Sequence, residues 1–358
     1  MYSVAVRSLP QANPQNPFAT TEIVYLDEEA PPVHLEIHFD SSKTILSRND
    51  SPDLDFTYSV NPYRGCLHAC AYCYARPTHE YLSFGAGTDF DRKIVVKRDA
   101  AVLLRAALQA PKWDPSEVLV FGGVTDCYQP LERTYELTRR CLEVCVEMGQ
   151  AASIITKGVT VERDVDLLSE LVRTAAASVT ISIPFADEDH ARAIEPFVTT
   201  PARRFRIIET LAKAGIPVGV NVAPIIPGLS DEQMVTILER AKDAGAQWAG
   251  STMLRLPGSV KAVFEARLRE ALPLRAEKVL ARLREAHGGK VYDATFGRRG
   301  RGDGPYADAI AALFRSSAER LGLSGGFPSL RAPQGAHARA HARARWRQES
   351  SAELVLTE

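Results

Sequence analysis

The sequence predicts an α/β protein, an open (β/α)6 partial TIM barrel with a helical C-terminal extension. Three observations carry the prediction. Short apolar, β-branched runs alternate with longer amphipathic stretches through the middle of the chain. About six such pairs occur, fewer than the eight of a closed barrel. Glycines stand at the ends of several amphipathic stretches, where helix C-caps fall. A chain of 358 residues with 45% hydrophobic content has the material for a core of that size.

The elements follow in order. Residues 1–50, rich in Pro, Asn, Ser and acidic groups, read as an irregular leader with one short strand at VHLEIHF. The barrel is expected over 51–257. DFTYSVNP supplies a first strand, and DAAVLLRAALQA has helical spacing. The runs EVLVFGGV, AASIITKG, SVTISIPF, PVGVNVAP and QWAGSTMLRL read as strands. Between them lie LERTYELTRRCLEVCVEMG, ERDVDLLSELVRTA, ARRFRIIETLAKAG and SDEQMVTILERAKDAG, read as helices. Gly149, Gly215 and Gly245 end three of these, and Ser230 with Gln233 has the pattern of a capping box. Strand and helix in alternation imply a parallel sheet, whose chemistry sits at the C-terminal ends of its strands. Residues 258–330 read as a basic helical extension. Residues 331–358, with PQGAHARAHARARWRQESSAE, read as a disordered basic tail.

Net charge is −1, unevenly spread. Residues 1–60 carry 3 Lys/Arg against 9 Asp/Glu, and residues 290–358 carry 11 against 7. A basic C-terminal end suits nucleic acid through phosphate contacts, or serves as a solubilising tail. MYSVAVRSLPQANPQNPF lacks the apolar core of a signal peptide, and no apolar run approaches the length of a membrane span. The expected compartment is the cytoplasm, with no membrane partner. Six cysteines in such a chain point away from a disulfide framework and toward a metal site.

Three of them fall in NPYRGCLHACAYCYAR, as Cys66, Cys70 and Cys73, spaced C-x3-C-x2-C. A structural zinc site wants four ligands, and the nearest fourth candidates are His68, inside the loop, and the distant Cys127. A four-iron cluster held by three cysteines keeps one iron open for a substrate or cofactor. Cys141 and Cys145, four apart on one helix face, continue an apolar stripe with Leu137, Val144 and Met148 and read as core. His79 and His190 read as structural or surface residues.

The triplet, with an aromatic residue before its last cysteine, resembles the radical S-adenosylmethionine (SAM) superfamily, over about residues 54 to 256. The resemblance implies a 4Fe–4S cluster on Cys66, Cys70 and Cys73 whose open iron binds SAM. It implies cleavage of SAM to methionine and a 5′-deoxyadenosyl radical that abstracts hydrogen from a substrate. It also implies an external one-electron reductant of flavodoxin or ferredoxin type. Carried over by position at the strand ends, Gly122 and Gly123 let backbone approach the SAM amine, Thr125 and Asp126 face the cavity, and Lys157 pairs with the SAM carboxylate. Ser182, Asn221 and Arg255 complete the candidate cofactor-binding set.

AYCYA, with Tyr72 and Tyr74 around Cys73, and VTD at the end of the second strand resemble the spore photoproduct lyase and DNA-repair-photolyase-like branch. NPYRGCLHACAYCYARPTHEYL, VTDCYQPLE and APIIPGLSD are similar to an uncharacterised bacterial subgroup of it. Tyr72 and Tyr74 are thereby candidate catalytic residues. In the lyases a cysteine a few residues before the Ser/Thr-Asp returns a hydrogen to the product. Aligned on VTD, that place falls near Gly123, and the nearest cysteine, Cys127, follows the Asp. A nucleic-acid lesion is therefore one expected substrate and a small molecule or peptide the alternative. A non-catalytic metal-binding module stands as a third reading.

Overall fold

The apolar runs do become a parallel sheet, and its edges stay apart. A computed structural model describes residues 11–18 and 34–324. Its strands are β1 (Glu36–Phe39), β2 (Leu46–Arg48), β3 (Tyr58–Val60), β4 (Tyr63–Arg64), β5 (Lys93–Val96), β6 (Leu119–Phe121), β7 (Ala152–Thr156), β8 (Ala177–Ser182), β9 (Val218–Ile225) and β10 (Ala249–Met253). The main sheet runs β10-β9-β8-β7-β6-β3-β2. All its pairings are parallel except that of β2 with β3. Six parallel strands in sequence order are the six expected units. β2, from the acidic N-terminal stretch, adds an antiparallel edge.

A second sheet, β1-β5-β4, was not expected. Its centre, KIVV, is four residues long and flanked by charges, too short a run to separate from loop by pattern. It matters because β4 ends two residues before Cys66 and hangs on β5 through Tyr63 and Arg64.

The helices are α1 (Thr88–Arg92), α2 (Ala100–Gln109), α3 (Glu132–Tyr135), α4 (Leu137–Met148), α5 (Val165–Thr174), α6 (Glu188–Ile194), α7 (Pro201–Lys213), α8 (Met234–Asp243), α9 (Val260–Ala271), α10 (Pro273–Glu285) and α11 (Pro305–Arg320). The longer helices bury one stripe: α2 turns in Ala100, Leu104 and Leu108, four apart each time. α4 turns in Leu137, Cys141, Val144, Cys145 and Met148, so that cysteine pair is core packing. β8, flanked by β7 and β9, is buried at all six positions, so its small polar residues Ser178, Thr180 and Ser182 are enclosed along with the apolar ones. Gly149, Gly215 and Gly245 all have positive φ just past helix ends.

The capping box does not form. The Ser230 hydroxyl accepts from the Ile226 N–H at 2.8 Å. Gln233 accepts from the N–H groups of Ala186 and Asp187, tying the loop after β8 to the start of α8. Both side chains hold strand-end loops instead of closing their own helix turn.

Helices α9, α10 and α11 follow the barrel, and their connections cover its last strand. Ala249 N–H donates to Leu323 and Met253 N–H to Gly300, pairing an edge that would otherwise be free. Residues 331–358 lie outside the described residues.

Candidate active site

Cys66, Cys70 and Cys73 lie in a loop fixed from several sides. β4 delivers the chain to Gly65, whose φ is +78°, and a Cβ there would meet the Phe90 carbonyl at 2.8 Å. Gln129 clamps the entry, accepting from Leu67 N–H at 3.1 Å and donating to the Gly65 carbonyl at 3.0 Å. Arg76 anchors the exit. Its fully buried guanidinium donates to the carbonyls of Cys70, Ala86 and Gly87 and pairs with Asp91 at 2.9 Å. A buried arginine is tolerable only when every N–H and the charge are met, and here they are.

The floor of the site is acidic. The Asp126 carboxylate accepts from Thr156 Oγ1 at 2.6 Å, Lys157 N–H at 2.8 Å and Tyr128 N–H at 2.9 Å, and faces His68 Nδ1 at 3.4 Å. Burial alone would raise its pKa. The bonds from His68, Thr156 and Lys157 outweigh burial and hold it at about 2. The Thr125 hydroxyl donates to the Tyr63 carbonyl at 2.7 Å. Thr125 and Asp126, expected as polar groups facing the cavity, spend these atoms on protein contacts. Their polar atoms join β6 to the cysteine loop, because that loop must be held from below.

One wall is a buried charge pair. Arg204 donates to Glu195 at 2.6 Å and to the Ser182 carbonyl at 2.9 Å, and Tyr72 O–H donates to Glu195. Lys157 Nζ stands 5.7 Å from the Tyr72 ring centroid. Burial works against the Lys157 charge, but Cys70, Glu195 and Asp126 more than offset it and raise its pKa. Tyr74 is 45% exposed, donates to the Gly123 carbonyl and carries the Arg255 guanidinium 5.4 Å over its ring.

The two strand-end glycines differ. Gly122 has φ +78°, and a Cβ there would lie 2.2 Å from the Ile155 carbonyl, so its role is the tight turn and the contact with β7. Gly123 is open, its nearest prospective Cβ contact being Ser59 at 3.5 Å. Among the described residues, the Ser182 hydroxyl and the Asn221 amide have no protein partner. Cys127 has no exposed surface and sits in the apolar core with Phe121, Tyr128 and Cys141.

The donor set decides between metal groups. All three loop thiols are free, Cys66 and Cys70 are buried, and burial pushes each of the three thiols above its ordinary pKa. A further push on Cys66 comes from Asp126, Cys70 and Cys73, so the sulfurs feel one another. Yet among the described residues no three His, Cys, Asp or Glu side chains converge on one ion. A zinc ion would draw its sulfurs to about 3.8 Å of each other, from Zn–S bonds of about 2.3 Å in a tetrahedron. Three free thiols gathered in one pinned loop fit a cluster in which each binds a different iron.

Comparison with known proteins decides the family. Residues 60–241 match the radical SAM superfamily. The chain belongs to the radical SAM superfamily. This radical SAM enzyme takes the superfamily's cofactors, a 4Fe–4S cluster and SAM, and such enzymes generally need an external reductant. It is 39% identical over 236 residues to an uncharacterised protein of Mycobacterium tuberculosis, covering 65% of this chain and 68% of that one. It is 30% identical over 178 residues to an uncharacterised protein of Methanocaldococcus jannaschii, covering 50% and 64%. Its fold is similar to spore photoproduct lyase complexed with dinucleoside spore photoproduct, with TM-score 0.56, 18% identity, and 82% and 80% of the two chains covered. Among the described residues no helix is long and apolar enough to cross a membrane.

Arg76, Gln129, Glu195 and Arg204 escaped the sequence reading. Arg76 alone carried a local signal, lying three residues past the last cysteine, and the others are remote in sequence from what they hold.

Proposed function

We propose that this radical SAM enzyme acts on a nucleotide within nucleic acid, abstracting one hydrogen atom from it. The observation carrying the chemistry is the pinned loop of three free thiols at the C-terminal ends of β3, β6 and β7, with Lys157 beside it. Cys66, Cys70 and Cys73 would hold the cluster, and SAM would bind beside it. The cluster and SAM together supply the 5′-deoxyadenosyl radical. Everything else is positioning by the chain. Arg76, Gln129 and Asp126 hold the loop. Lys157, charged and fixed beside Tyr72, meets the SAM carboxylate. The open backbone at Gly123 admits the methionine end. Ser182 and Asn221, whose side chains have no protein partner, offer hydrogen bonds to the rest of the cofactor. Arg255 faces anionic groups at the rim.

The nucleotide reading is supported by the tyrosine-flanked cysteine and by the fold likeness to spore photoproduct lyase complexed with a dinucleoside spore photoproduct. Cys127 is enclosed in core, so we assign return of the hydrogen to Tyr74, the exposed phenol bonded at Gly123. Giving one hydrogen atom to the product radical leaves a phenoxyl radical, which the external reductant and a proton restore. The test is anaerobic turnover with SAM and dithionite, with and without UV-irradiated DNA. The expected result is 5′-deoxyadenosine formation stimulated by irradiated DNA, with altered products in Tyr74→Phe and unaltered products in Cys127→Ala. Stimulation by no nucleic acid would assign the site to a small molecule or peptide.

A further inference from the structure

The barrel is open between its edge strands β10 and β2, and one loop spans the opening. Residues 293–303, DATFGRRGRGD, connect α10 to α11. On one side the Gly300 carbonyl accepts from Met253 N–H, at the end of β10, at 2.8 Å. Gly302 lies so close that a Cβ there would meet Met253 Sδ at 2.7 Å. On the other side Gly297 N–H donates to Asp53 at 2.8 Å, and Arg299 bonds both Asp53 and Ser51, in the connection from β2 to β3. The loop is a clasp tied to both edges of the open barrel.

What it presents outward is cationic and aromatic. Arg301 is exposed and has no carboxylate partner among the described residues. The Arg298 side chain is 58% exposed; its ion pair is with the half-exposed Asp303, at 3.4 Å, and Asp293 acts on it at longer range. Such a pair is worth little and yields readily to a phosphate. Phe296 is 56% exposed, with the Arg299 guanidinium 4.2 Å from its ring centroid. Arg299 is spent on Asp53, while Asp293, which accepts from the Thr295 N–H at 2.9 Å, keeps its charge near Lys290 and Arg298 and offsets part of theirs. Behind the clasp, Arg255 lies 3.9 Å from the prospective Cβ of Gly300 and over Tyr74, the neighbour of Cys73. Two aromatic–guanidinium pairs, Phe296 with Arg299 and Tyr74 with Arg255, thus lie between the clasp and the cluster loop.

We propose that this clasp is the nucleic-acid contact surface, binding a single-stranded or locally unstacked segment beside the reacting nucleotide. Arg298 and Arg301 take backbone phosphates and Phe296 stacks a base. Cations spaced along a backbone with an interleaved aromatic ring are what a flexible strand requires, since every base has a face to stack and every link a charge. The inference rests on the nucleic-acid reading above and adds the surface that serves it.

The test is anisotropy of a labelled single-stranded oligonucleotide with the full-length, cluster-loaded protein, across a salt series. The double variant Arg298→Ala/Arg301→Ala is expected to weaken binding at least tenfold. It should also lower the slope of log K against log salt by about 1.4, since each phosphate neutralised on a single strand contributes about 0.7. Phe296→Ala is expected to weaken binding about 5- to 100-fold with the slope unchanged. Lys213→Ala, on the outer helix layer, is the control and keeps wild-type affinity. Iron content and melting temperature show that each variant is folded. If the wild type binds and the clasp variants bind equally well with the same slope, the clasp assignment is wrong while the nucleic-acid reading stands. If the wild type binds no oligonucleotide at low salt, both fall. If poly-glutamate competes as well as the oligonucleotide and Phe296→Ala has no effect, the clasp reads charge alone and the assignment to nucleic acid is overturned.

Discussion

The side chains of the site divide into those that bind and those that hold the binders, and substitutions separate the two. Cys66→Ala, Cys70→Ala and Cys73→Ala should each lose the iron and sulfide of the reconstituted protein, whereas Cys127→Ala should keep them; metal analysis decides. Arg76→Met should destabilise the fold by about 3–5 kcal/mol in urea unfolding, because Asp91 is left buried and unpaired and three carbonyls lose a donor. His79 offers a pH test. It is fully buried against Phe84 and Phe90, with Nε2–H donating to the Lys93 carbonyl, and burial pushes its pKa down to about 4. The unfolded chain binds that proton near pH 6.5 and the folded chain does not. Its contribution is therefore full above about pH 6.5 and falls as pH drops toward 4, by up to about 3 kcal/mol. His79→Phe should flatten that part of the stability profile relative to wild type. The cysteines were legible because their spacing is local and chemically narrow. Gln129 was not, because it meets Leu67 across 62 residues, and a glutamine in the turn after β6 carries no mark of that duty.

At the scale of elements, strand ends set the site, and the two glycines after β6 show how differently adjacent positions are constrained. Gly122→Ala should cost at least about 1–2 kcal/mol from the positive φ alone, before its overlap with Ile155 is counted. Gly123→Ala should fold normally and weaken SAM binding, if backbone approach to the methionine end is its role. Melting temperature and SAM titration separate the two effects, and a Gly123→Ala variant with wild-type SAM affinity would remove that role. The five later strands were legible because each has a buried, mostly apolar face and is set off by an amphipathic helix, with β6 and β8 buried on both faces. β5 and β4 were not, being four and two residues long. Yet this small sheet is what delivers the chain to Gly65 and the cysteines. The Ser230–Gln233 pattern failed for a related reason: both side chains were recruited by loops that only the folded barrel brings near them.

For the whole molecule, the barrel's openness is the feature from which function follows. A closed (β/α)8 barrel fills its interior with side chains. Here six parallel strands leave a side to be spanned, and the extension after β10 spans it with an arginine-bearing loop. The basic character of the C-terminal region was legible in composition, but not its placement, which depends on contacts such as Arg299 with Asp53, 246 residues apart. The most direct measurement is the release of 5′-deoxyadenosine and methionine by anaerobically reconstituted, dithionite-reduced protein supplied with SAM. The predicted result is formation of both by the wild type and of neither by Cys70→Ala. A protein that holds iron and sulfide yet releases neither product, with irradiated DNA present or absent, or a Cys70→Ala variant that turns over like the wild type, would contradict it.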